Sequence, residues 1–207
     1  MVEKLLEFAK KIEDEKLRKK VIELIKDPTL HHPDFQKYEK VSLEEVKTLF
    51  SIGSGAFVER EVVKHTLSVT EACIELARIL EKNFGMQFNK DVLIAAALIH
   101  DIMKVYEWKK SESGFEPAPI PLDHTSLIVS ELYFRNFPEE VIHAVAAHAG
   151  NQGTVKPRTF EALLLHYVDS LLSTIEYYYF FSTQPKQGGL PVLVLDEETF
   201  KKLKEVE

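Results

Sequence analysis

No second cysteine accompanies Cys73, so no disulfide can form within the chain, and a lone thiol inside a helical pattern reads as a packed, reduced side chain. No apolar run exceeds "VLIAAALI" at 92–99, far short of the roughly 20 residues that a membrane-spanning helix needs. Nor is there an excess of positive charge. The 26 Lys and Arg against 33 Asp and Glu leave a net charge of −7, which argues against any nucleic-acid partner larger than a short single-stranded RNA. With 8 glycines and 9 prolines in 207 residues, collagen-like and low-complexity architectures are excluded. The N-terminus, "MVEKLLEFAKKIEDEK", mixes charge with apolar residues and lacks the apolar block of a secretory signal, so a cytoplasmic location is expected.

What is present is helical periodicity. Leu5, Leu6, Ile12, Leu17, Val21, Ile22 and Ile25 predict one or two amphipathic helices over 2–26, ended by "DPT". Ser42 followed by Glu45 is a capping-box pattern and predicts a short helix to Phe50, broken by "SIGSGAF". Further helices are predicted near 60–83, 91–106, 122–136, 139–148 and 158–182. "GFEPAPIP" at 114–121 and "LPVLVL" at 190–195 read as short extended pieces, "STQPKQGG" at 182–189 as a linker, and Asp196 as the cap of a terminal helix. The expected fold is an all-α helical bundle forming a single domain over 1–207. It divides into an N-terminal helical extension (1–58), a core (59–182), and a linker with a C-terminal helix (183–207).

Several polar residues fall on the apolar stripes of these helices. His65 shares a face with Val62, Val69, Ala72 and Leu76; His100 continues the face of Leu93, Ala96 and Ala97, with Asp101 beside it at the helix end. His124 opens a helix carrying Leu127 and Ile128 on the same face, His148 lines up with Val141, Ala144 and Val145, and Asp169 with Leu165 and Leu172. An ionised carboxylate on a buried stripe is costly unless it is paired or metal-bound. One shared metal site accounts for all six residues together, and imidazoles with carboxylates suit iron, manganese, nickel or zinc better than magnesium. Six ligands exceed what one ion with an open position uses, so two divalent ions bridged by a carboxylate are the economical arrangement. Singly, each residue has a plainer reading: an inward histidine is more often a satisfied core residue, and Asp169 would equally pair with a buried Lys or Arg. His31 and His32 read as loop residues and His143 points away from His148. His166 is either core or a group orienting Asp169.

The order His65, "HD" at 100–101, His124, His148 and Asp169 resembles the HD-domain metal-dependent phosphohydrolase superfamily, in its dinuclear H-HD-H-H-D subgroup. The contexts "KHTLSVTEACIELA", "ALIHDIMK", "LDHTSLIVSELY", "VAAHAGN" and "RTFEALLLHYVDSL", spanning about 60–180, carry the resemblance. It implies that His65, His100, Asp101 and Asp169 hold one ion, and that His124 and His148 complete a second with Asp101 bridging. Metal-activated hydroxide would then attack phosphorus, and Lys104, in the "HDxxK" spacing, would steady charge on a phosphoryl oxygen. Met103 stands where many relatives have Gly, and Ala149 where many have a second His. Should His124 and His148 not bind metal, the site would be mononuclear and they would contact substrate phosphate.

"KPRTFEALLLHYVDSL" is similar to the HD catalytic domain of bacterial 3′ to 5′ exoribonucleases, yet only about 60 mostly helical residues precede His65, where those carry an OB-type binding domain. The stand-alone layout resembles archaeal HD phosphodiesterases that open the cyclic phosphate of dihydroneopterin. The expected activity is therefore hydrolysis of a small phosphodiester such as a cyclic phosphate, nucleotide or pterin, with a small phosphorylated molecule as partner and no membrane. The alternatives are an exoribonuclease, a nucleotide-binding module without catalysis, or a helical scaffold with a coincidental histidine cluster. Asn151, Lys156 and Arg158, in the loop after His148, are candidate substrate contacts, and Tyr106 and Trp108 candidate stacking residues. Oligomeric state is not legible.

Overall fold

In the computed structural model, which describes residues 1–52, 57–111, 114–150 and 153–183, the apolar periodicity becomes seven α-helices. They are α1 (Val2–Ala9), α2 (Glu15–Lys26), α3 (Val62–Phe84), α4 (Lys90–Ile99), α5 (His124–Phe134), α6 (Glu139–Ala146) and α7 (Phe160–Thr183). Asn151, most of the linker, "LPVLVL" and the helix predicted after Asp196 lie outside the described residues. Among the described residues the fold is predominantly α-helical, with two short antiparallel strand pairs. Among the described residues no helix is long and apolar enough to cross a membrane.

The most apolar stretch is the axis. Asn89 caps α4 by accepting the Val92 N–H, and every residue from Val92 to Ile99 is buried. A helix apolar on all sides must be enclosed, and α1, α2, α3, α6 and α7 all pack against it. Leu5, Ala9, Ile12, Leu17, Val21 and Leu24 of the N-terminal segment join the same hydrophobic cluster. The Asp91 carboxylate accepts the backbone N–H groups of Glu13 and Asp14, each at 2.8 Å, tying the turn between α1 and α2 to the first turn of α4.

Three local expectations change. Ser42 starts only one turn: its carbonyl accepts from Glu45 and Val46, and the chain then runs as strand β1 (Lys47–Phe50), paired antiparallel with β2 (Val58–Glu61). The helix predicted to Phe50 fails because a non-local strand partner outweighs a local cap pattern. The helix predicted over 91–106 breaks after Ile99: Asp101 takes φ −105° and ψ 3°, in the bridge region, and Ile102–Tyr106 continue as a 3₁₀ turn. Leu76, expected on the buried stripe of α3, is 38% exposed, because the buried face follows Thr66, Val69, Cys73 and Ala77. The extended reading of "GFEPAPIP" holds for its first half, which is strand β4 (Gly114–Pro117) paired with β3 (Trp108–Ser111).

Candidate metal centre

Five elements deliver six polar side chains to a common point. His65 lies one turn into α3, His100 and Asp101 sit where α4 gives way to the 3₁₀ turn, His124 is the first residue of α5, His148 follows α6, and Asp169 lies mid-way along α7. The cap on α5 is Asp123, whose carboxylate accepts the Ser126 N–H and so sets the start of the helix at His124.

All four imidazoles have Nδ1 engaged by an outer partner. His100 Nδ1 lies 2.8 Å from the Ala97 carbonyl and His148 Nδ1 2.6 Å from that of Val145. His65 Nδ1 meets the Glu176 carboxylate at 3.0 Å, and His124 Nδ1 meets Glu107. A carbonyl or carboxylate on Nδ1 takes the ring proton there and leaves the Nε2 lone pair for a ligand. The Nε2 atoms converge on the two aspartates. Asp101 Oδ2 is 3.9 Å from His65 and 3.6 Å from His100, while Oδ1 is 3.3 Å from His124 and 3.9 Å from His148. Asp169 Oδ1 is 2.9 Å from His65 Nε2 and 4.0 Å from His100 Nε2.

The electrostatics follow from this packing. Burial alone would raise the Asp101 carboxyl, but Lys104, His100, His124 and Arg60 hold it well below its ordinary value. Burial likewise opposes ionisation of Asp169, and the hydrogen bond with His65 and the charge of His100 prevail, lowering it. His100 is depressed chiefly by burial, and His148 is lowered to about 4 by burial and by His100. His65 goes the other way: burial disfavours its charge, but the bonds to Asp169 and Glu176 raise it.

The residues fit a metal centre. His100 Nε2 and Asp101 Oδ2 are buried without hydrogen-bond partners, an arrangement rarely tolerated unless something binds there. Two groups of ligand atoms, one from His65, His100 and Asp101 and one from Asp101, His124 and His148, each lie within 4.8 Å of one another, and Asp101 is common to both. Beside them opens a cavity of about 390 Å³, lined by Ile52, Arg60, Lys104 and Ala149 and by the α7 residues His166, Ser170, Ser173 and Thr174. Lys104 is buried, with Nζ 3.7 Å from Asp101 Oδ1 and 3.8 Å from Glu107 Oε2.

The other candidates are placed elsewhere. Lys156 is exposed and donates to the carbonyls of Gly150 and Gly153, and exposed Arg158 meets His143 Nε2 through its backbone N–H; neither lines the cavity. Tyr106 is buried, with its hydroxyl accepting from the Leu30 N–H, so it is not a stacking surface. His166 turns its Nδ1 to the His148 carbonyl, at 2.8 Å. Gly150, at φ 50°, permits that contact, since a Cβ there would sit 2.0 Å from the His166 ring.

A family model for the HD domain matches residues 62–174. The chain belongs to the HD-domain family. Dihydroneopterin 2′,3′-cyclic phosphate phosphodiesterase of Methanocaldococcus jannaschii is 42% identical over 176 residues, covering 84% of this chain and 70% of that protein. No solved structure matches significantly. Around the same point stand three residues that the sequence pattern did not single out: Arg60, Glu107 and Glu176. Glu107 was within reach, three residues after Lys104 at the end of the same helical pattern, and Glu176 is two helical turns beyond Asp169. Arg60 arrives on β2, and nothing in the spacing before His65 marks it.

Proposed function

We propose that the protein is a metal-dependent phosphodiesterase acting on a small phosphodiester, with the cyclic phosphate of a pterin as the favoured substrate class. The observation that carries this reading is Asp101, buried, with one oxygen turned to His65 and His100 and the other to His124 and His148. His65, His100, Asp101 and Asp169 would hold one divalent ion, and His124, His148 and Asp101 a second; the imidazole and carboxylate set favours iron, manganese, nickel or zinc. Such ions, when bound, supply Lewis acidity toward phosphoryl oxygens and lower the pKa of water.

The chain's own residues do the rest. Glu176, Glu107 and the carbonyls of Ala97 and Val145 keep the four rings facing inward, so little reorganisation is needed on loading. Lys104, at the cavity wall without a hydrogen bond to either nearby carboxylate at those distances, is placed to balance charge on a phosphoryl oxygen. A cavity of about 390 Å³ lies within the range typical of small-molecule sites, and a net charge of −7 disfavours a polyanionic substrate.

The test is turnover after anaerobic loading with iron or manganese, with metal stoichiometry measured on the same sample. The panel is bis(p-nitrophenyl) phosphate, a pterin cyclic phosphate, 2′,3′-cyclic nucleotides, nucleoside triphosphates and single-stranded RNA. Cleavage of the small diesters with two ions bound is expected. Cleavage of RNA alone, or binding of nucleotide without turnover, would overturn the reading.

A further inference from the structure

Arg60 is only 6% exposed, yet it is not fully satisfied. One terminal nitrogen is committed: Nη1 donates to Ser173 Oγ at 2.9 Å and to Glu176 Oε2 at 3.1 Å, and also lies 3.1 Å from His65 Nδ1. The guanidinium carbon sits 4.4 Å from the centre of the Phe50 ring, which steadies the plane of the group. The opposite edge has no such partners. Nε is buried without a hydrogen bond, and Nη2 is 3.5 Å from Asp101 Oδ2, beyond ordinary bonding distance.

In a planar guanidinium, Nε–H and one Nη2–H project in parallel from the same edge. Arg60 lines the same cavity as Asp101, Lys104, His124 and His148. Arg60 and Lys104 also flank the two oxygens of Asp101, Nη2 against Oδ2 and Lys104 Nζ against Oδ1. We propose that the Nε and Nη2 edge of Arg60 binds two oxygens of the substrate's phosphate, making Arg60 a phosphate-binding residue and the cavity specific for a phosphoryl group presenting two free oxygens. Two parallel donors match the two non-bridging oxygens of a phosphodiester, whereas the compact ammonium of Lys104 reaches one as a point charge. The committed Nη1 and the Phe50 ring keep the fork aimed before substrate arrives, which lowers the ordering cost of binding. Arg60 lies just outside the family-matched residues 62–174, on an element of this chain rather than on the helices that carry the metal ligands.

This inference rests on the phosphodiesterase reading for the identity of the ligand but is tested separately from it. The probe is inorganic phosphate, titrated by calorimetry into manganese-loaded wild type, Arg60→Lys and Arg60→Gln, with metal content measured for each. With metal retained, phosphate binding is expected to weaken about tenfold or more in Arg60→Gln. Arg60→Lys, which keeps the charge but not the fork, is expected to fall well short of wild type and to raise KM for bis(p-nitrophenyl) phosphate more than it lowers kcat. Wild-type phosphate affinity in Arg60→Lys would reduce the residue to a counter-charge and overturn the proposal; so would loss of metal from both variants, which would assign Arg60 to the metal centre. Wild-type protein that binds phosphate through Arg60 but cleaves no diester would support the proposal while overturning the proposed function.

Discussion

His100 and His148 hold Nδ1 against carbonyls three residues back in their own helical turns, those of Ala97 and Val145, whereas His65 and His124 hold it against carboxylates, Glu176 and Glu107, that are 111 and 17 residues away. The first arrangement comes with the helix and cannot be removed by one side-chain change. The second depends on tertiary packing, can be deleted singly, and would make the ring a stronger ligand for a metal by placing negative charge behind it. Burial depresses His100 and His148, while carboxylates raise His65. One centre thus combines two imidazoles whose protonation burial opposes with two whose outer partners are carboxylates.

Asp101 stands between the two kinds of imidazole, so its loss should break the comparison altogether. Asp101→Asn is expected to bring turnover of bis(p-nitrophenyl) phosphate to background and metal content, measured by elemental analysis, from two equivalents toward none. Two retained ions with full activity would refute the bridging role. Next in size is Gly150→Ala, which attacks the support of His148 without touching a ligand. Its Cβ would meet the His166 ring at 2.0 Å in a backbone conformation at φ 50°, and His166 would lose the His148 carbonyl. The expected result is binding of one ion instead of two, with a stability loss of about 1–3 kcal/mol in chemical denaturation.

Glu176→Gln and Glu107→Gln then test the carboxylate-held rings. Each keeps an acceptor but removes the charge, and each should weaken metal affinity about 10- to 100-fold in competition with a chelator, Glu176→Gln at the His65 ion and Glu107→Gln at the His124 ion. Unchanged affinity in both would make the two pairs of histidines equivalent.

The smallest effect concerns pH in the metal-free protein. His148 has a folded value of about 4 against 6.5 unfolded, so its contribution is present above 6.5 and is lost as pH falls toward 4, at no more than about 1.4 kcal/mol per pH unit. His65 has the opposite sign: its contribution is present below 6.5 and is lost as pH rises through its raised folded value. Thermal melts of metal-free wild type and His148→Asn across this window should show a shallower acid-side decline in the variant.

The six residues proposed to hold metal were legible as a set because helices repeat every 3.6 residues, so a histidine or aspartate on an apolar stripe declares itself without knowledge of its partner. The same periodicity explains the successful placement of α3, α6 and α7. It fails where partners are distant in the chain. The strand at Lys47–Phe50 formed against Val58–Glu61 rather than extending a helix from Ser42, and the pattern over 91–106 contained no sign that the backbone would turn at Asp101. Lys156 and Arg158 were suggested by nearness in sequence to His148, but an exposed loop carries no periodicity to fix direction, and their hydrogen bonds close the loop on itself and on α6.

From the sequence alone follow a helical bundle around "VLIAAALI" and the identity of the residues that cannot stay buried unpaired, because hydrophobic periodicity and the cost of burying charge are properties of a single segment. Only tertiary structure could decide that Asp101 turns one oxygen to each pair of histidines, that Glu176 and Glu107 stand behind two of the rings, and that Arg60 reaches the same cavity from β2. Those are distances between segments, and they exist only once the apolar faces have packed.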